Sequence, residues 1–116
     1  MTLTGKAKED FEKWYMTDHL GYDEVPAKFM KEAAIPTFEK KHSSEKYGVF
    51  VDWFDSVGIY VSKTNYEASY TGLVYVWEVK YLNKFTSIFK DKAATRPEAR
   101  TAAIEKANEI YNKRHE

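Results

Sequence analysis

The sequence predicts an α+β domain: N-terminal helices, an antiparallel meander of three or four strands, and a C-terminal helix packed on one face of the sheet. Three observations carry this. Apolar residues before position 58 recur at helical spacing, those from 59 to 90 follow a period of two, and residues 95–113 return to helical spacing behind a capping box. The length of 116 residues, with 43% hydrophobic and 16% aromatic content, suits one core, and a single domain over residues 1–116 is expected.

The first helix is expected over residues 5–19. Ala7, Phe11, Trp14 and Tyr15 share one face, Thr4 is the expected N-cap and Gly21 the stop. A shorter helix follows, with Asp23 as its cap, Pro26 in its first turn and Phe29, Met30 and Ala33 as its inner face. Pro36 is expected to end it, because the residue before a proline is pushed out of the helical region. The third apolar series is Tyr47, Phe50, Val51, Phe54 and Val57, with Glu45 in the first turn and Gly58 at the left-handed end. Gly48 is its weak point, costing about 1 kcal/mol relative to alanine. Trp53 falls on the side read as exposed, beside the acids Asp52 and Asp55.

Residues 59–62 read as a strand and 66–70 as a second one, although 63–72 is open between strand and loop. Residues 73–82 form the clearest strand. Leu73, Tyr75, Trp77, Val79 and Tyr81 line one face, and Val74, Val76, Glu78, Lys80 and Leu82 the other. Asn83-Lys84 is a turn into a strand over 85–90, and such short connections imply antiparallel pairing. In the last helix Thr95 and Glu98 make the capping box and Pro97 sits in the first turn. Ala99, Ala103, Ala107, Ile110 and Tyr111 form its stripe, with Ala102 and Ile104 on the flanks and Glu109–Lys113 as an i, i+4 pair.

Basic and acidic residues balance at 18 each, so the whole chain shows no attraction to nucleic acid or to an anionic membrane. Locally, Lys80, Lys84, Lys90, Lys92, Arg96 and Arg100 outnumber Asp91 and Glu98. Cysteine is absent, which excludes disulfides, thiol catalysis and cysteine-ligated zinc. No stretch resembles a signal peptide or reaches the roughly 18 apolar residues of a membrane span, and a cytoplasmic location is expected.

Chemistry-bearing residues are sparse. His19, His42 and His115 have no partner at ligand or triad spacing, and the five glycines are too scattered for a phosphate loop. Asp52 and Asp55 lie three apart, where crowding inside a pocket would raise one pKa. On a solvated helix face they carry no chemistry. The expectation is a non-enzymatic protein without cofactor or metal. Tyr75, Trp77 and Tyr81, interleaved with Lys80 and Lys84, are the candidate binding aromatics, as hot-spot residues or as a base-stacking platform.

Residues 47–59 (YGVFVDWFDSVGI) and 95–112 (TRPEARTAAIEKANEIYN) resemble segments of small uncharacterised proteins from bacteriophages and prophages of gut Bacteroidales. The resemblance implies a phage-linked accessory protein and brings no activity. Residues 44–113 also resemble the double-stranded-RNA-binding domain in element order: helix, three strands, helix. Glu98-Ala99-Arg100-Thr101-Ala102-Ala103, with Glu105, Lys106 and Ala107, is similar to the run in that family's last helix. The resemblance implies phosphate contacts from the start of that helix, a role open here to Arg96 and Arg100. Pro97 stands where the family usually has lysine, and residues 63–72 lack its Gly-Pro-x-His loop. The expected function is therefore a protein–protein interaction, with an unidentified partner or by self-association. The alternative is a nucleic-acid-binding module using Lys80, Lys84, Lys90, Lys92, Arg96 and Arg100.

Overall fold

The structure, a computed structural model, describes residues 1–62, 65–70, 72–81 and 87–116. Helix α1 spans Gly5–Trp14 and runs on as a π-helical turn, Tyr15–His19, before Gly21 reverses the chain at φ +81°. Ala7, Phe11 and Tyr15 are buried along it, as the spacing predicts. Thr4 has the extended backbone of an N-cap, but its side chain does not cap its own helix. Two amides from the other end of the chain do that work. Ala7 N–H donates to Asn112 Oδ1 at 2.7 Å, Thr4 N–H donates to Asn108 Oδ1 at 2.9 Å, and Asn112 Nδ2 returns a bond to the Thr4 carbonyl at 2.9 Å.

Helix α2 spans Glu24–Glu39 and departs from expectation twice. It continues through Pro36, because the next turn carries Phe38 into the core and the energy of that burial outweighs one lost hydrogen bond. Its inner face is Ala27, Ile35 and Phe38, whereas Phe29, Met30 and Ala33 point to solvent. Phe38 is held by aromatic neighbours on three sides, with ring centroids 4.8 Å from Tyr15, 5.4 Å from Phe11 and 5.5 Å from Phe50. Helix α3 spans Ser43–Ser56 and is capped by the His42 ring, whose Nδ1 accepts from Ser44 N–H at 3.3 Å. Trp53, read as exposed, is 1% exposed. Its ring lies 5.7 Å from Phe11 and 4.9 Å from Tyr111, so α3 is covered on two sides rather than one. Gly58 ends the helix region at φ +83°, as expected.

Strands β1 (Ile59–Val61) and β2 (Asn65–Ser69) both pair antiparallel with β3 (Gly72–Tyr81), and β4 (Ser87–Ala93) pairs with β3 as well. Val76 faces Asn65 on one side and Lys92 on the other, so β3 is central and β1 and β2 follow one another along a single edge. The turn expected at Asn83-Lys84 lies outside the described residues. Trp77 and Val79 of β3 enter the core with Ile59 and Val61.

Helix α4 spans Arg96–Arg114 behind Thr95, whose Oγ1 accepts from Glu98 N–H at 3.3 Å. Ala99, Ala103 and Ala107 are completely buried, and so is Ile104, expected on the flank. The methyl side chains of Ala99, Ala103 and Ala107 let the sheet approach this helix on one side, with α1 and α3 on the others. Lys106, rather than Lys113, is the ion-pair partner of Glu109, at 3.4 Å.

Candidate interaction surfaces

The outward face of α2 carries three large exposed apolar side chains, Val25, Phe29 and Met30. At about 3.6 residues per turn, Val25, Phe29 and Ala33 form a stripe one turn apart, with Met30 on its flank. Phe29 is 81% exposed, Val25 64% and Met30 42%, and Leu20 stands at the foot of the helix at 41%. Scattered exposed apolar residues are ordinary, but an aligned stripe with a nearly bare phenyl ring makes this face a candidate interaction surface. Phe29, Met30 and Ala33, expected on the inner face of the helix, lie on its outer one.

The predicted basic and aromatic residues are divided between two sides of the sheet. Tyr75, Trp77 and Tyr81 share the face that carries α4. Trp77 is 4% exposed and stacks on Phe89 at 5.3 Å, while Tyr75 and Tyr81 are half-buried. Arg96 lies over the Tyr75 ring and Arg100 over the Tyr47 ring, at 5.6 and 5.2 Å. Lys80, Lys90 and Lys92 belong to the opposite face, by the alternation of β3 and its register with β4. There Lys92 pairs with Glu67 at 3.4 Å, and Lys80 lies 3.8 Å from Glu78 and over the Tyr60 ring. These pairs are solvated and contribute little to stability, but they offset much of the positive field of that face. Lys84 lies outside the described residues.

The remaining candidates stay apart. His19 stacks on Tyr15 at 5.1 Å, His42 caps α3, and His115 lies 4.3 Å from the Tyr111 ring at the end of α4. Asp52 is exposed and Asp55 is half-buried, with its Oδ1 buried and unpaired among the described residues. Burial first, and then the neighbouring Asp52 charge, raise the Asp55 carboxyl above its ordinary range. Among the described residues no three His, Asp or Glu side chains converge as metal ligands, and no helix is long and apolar enough to cross a membrane. A cavity of about 270 Å³ opens between the N-terminus and the first three helices, with Leu3, Phe11, Phe38 and Phe50 in its wall and the buried carboxylate of Glu12 at one side. Its charged rim mixes both signs, Lys8 and Lys46 with Glu39, and selects no ligand class.

No protein-family model, curated protein or solved structure matches the chain.

Proposed function

We propose that this is a non-enzymatic accessory protein, of the phage or mobile-element type, that works by binding another protein chain through the outer face of α2. The observation that carries the binding reading is the stripe of Val25, Phe29 and Ala33, flanked by Met30 and left uncovered while the opposite face of the same helix fills the core. Burying a phenyl ring and a valine on a partner is favourable by about 1.5–3 kcal/mol each, which is hot-spot magnitude. The phage-type assignment rests only on the resemblance of residues 47–59 and 95–112.

Site-specific photocrosslinking tests the reading. A photoreactive phenylalanine analogue at position 29 should form one dominant protein adduct in cells, and the same analogue at the exposed Lys113 should not. Absence of an adduct at position 29, or the same adducts at both positions, overturns it.

Nucleic-acid binding through Lys80, Lys90 and Lys92 with Arg96 and Arg100 has narrower support, because these groups lie on two faces and two of the lysines have carboxylates beside them. Duplex RNA or DNA binding that weakens steeply with salt and disappears in Lys90→Glu/Lys92→Glu would move the function to the open sheet face.

A further inference from the structure

We infer that the partner on α2 is a second copy of this chain, the two helices lying antiparallel across a twofold axis near Met30; this rests on the protein-binding reading of the same face. The argument is one of charge and shape. Lys28 and Glu32 sit one turn apart on one flank of the apolar stripe, both exposed. Neither has an ion-pair partner within its own chain among the described residues, whereas Lys31, on the inner side of the helix, reaches Glu12 at 4.0 Å.

In an antiparallel twofold pair each flank of a helix meets the same flank of its copy. An axis level with residue 30 therefore places Lys28 beside Glu32 of the second copy, and does so twice. On the other flank Met30 meets its own counterpart. Between them Phe29 of each copy falls toward Ala33 of the other, where a methyl side chain leaves room for a ring. An unrelated surface would have to match this pattern; a second copy matches it by symmetry.

A lipid surface is the poorer occupant. The exposed side chains along α2 include Glu24, Glu32 and Glu39 as well as Lys28 and Lys31, so the helix lacks the basic excess that an anionic membrane selects. A contact made by one helix from each copy lies at the small end of stable interfaces, and an affinity in the micromolar range, on the order of 10 μM, is expected.

Sedimentation equilibrium from about 1 to 500 μM, a range that brackets such an affinity, tests the inference. The wild-type mass should rise from 13.6 kDa toward twice that value. Phe29→Glu should remain monomeric throughout, with unchanged circular dichroism and melting temperature. Lys28→Glu and Glu32→Lys should each weaken the dimer about tenfold, because each replaces two attractive contacts by two repulsive ones. An equimolar mixture of these two variants should recover wild-type affinity, since both crossed contacts then join opposite charges. A wild-type chain that stays monomeric at every concentration overturns the dimer, as does a dimer indifferent to Phe29→Glu or a mixture that fails to recover. If the chain is monomeric while position 29 crosslinks to a different protein, only the dimer falls; if position 29 crosslinks to nothing, the binding reading falls with it.

Discussion

Asn112, four residues before the end of the sequence, accepts a hydrogen bond from Ala7 N–H at 2.7 Å and so caps the first helix from the last. The same amide meets Gly5, whose φ is +60° and where an added Cβ would lie 3.1 Å from Asn112 Nδ2. Asn112→Ala should cost about 1–2 kcal/mol by urea denaturation, the usual range for a lost cap. Gly5→Ala should cost at least about 1 kcal/mol through its backbone alone. The double variant should cost less than the sum, because the clash vanishes with the amide while the backbone strain stays. Strict additivity would show that Asn112 and Gly5 are not in contact.

Tyr111 and Asp10 make stability depend on pH at both extremes. The Tyr111 hydroxyl donates to Asp10 Oδ2 at 2.5 Å. Burial, with the Asp10 hydrogen bond and charge added, raises the tyrosine to about 12. Burial would also raise the Asp10 carboxyl, but the Tyr111 hydroxyl and the Lys6 ammonium together outweigh it and hold the group below its ordinary 3.8. A raised tyrosine contributes stability in full below pH 10 and loses it as pH climbs from 10 through about 12. A depressed carboxylate contributes above its ordinary pKa and loses that contribution as pH falls below 3.8. Tyr111→Phe should flatten the urea midpoint against pH in both windows and remove tyrosinate absorbance that develops near pH 12. Unchanged slopes would exclude the pair as their source.

The two faces of α2 should differ sharply in what they contribute to folding. Phe38→Ala opens a hole among Phe11, Tyr15 and Phe50 and should cost about 3–5 kcal/mol. Phe29→Ser, measured at low protein concentration, should change stability by no more than about 0.5 kcal/mol. Comparable losses from the two would mean that Phe29 is a core residue.

Two exposed helix breakers should be removable with gain. Gly48 has open space around a built Cβ and an exposed position inside α3, so Gly48→Ala should stabilise by about 0.5–1 kcal/mol. Pro36 interrupts the hydrogen bonds of α2 on its solvent side, and Pro36→Ala should gain about 1–2 kcal/mol after the looser unfolded chain is counted. Melting temperatures that fall in either variant would point to a packing role the geometry does not show.

Much of the fold was legible from residue order. Thr95, Glu98 and the alanines announced α4, the alternation of Tyr75, Trp77 and Val79 announced β3, and Gly58 marked the end of α3 where it was expected. Each of these signals acts over a turn or a strand and needs no distant partner. Trp53 and Ile104 were misplaced because both lie on helices covered on more than one side, and a single-face pattern cannot show a second covering layer. The cap on α1 was invisible for a related reason. Asn108 and Asn112 look like ordinary polar residues on a helix until Thr4 is brought against them, more than a hundred residues away in sequence.

By itself the sequence determined the kinds of element, their order and the antiparallel sense of the strands, since period, caps and short connections are local properties. The expected meander gives way to a sheet in which β1 pairs with β3 rather than with its neighbour β2. The sequence also marked α2 as amphipathic, and there its authority ended. Apolar residues lie on both sides of that helix, Ala27, Ile35 and Phe38 on one and Val25, Phe29 and Ala33 on the other, and helix geometry favours neither. Only the tertiary structure decided. Phe38 found three aromatic rings within 5.5 Å, burial of that face was the larger gain, and the rigid helix then had to turn Phe29 to the outside.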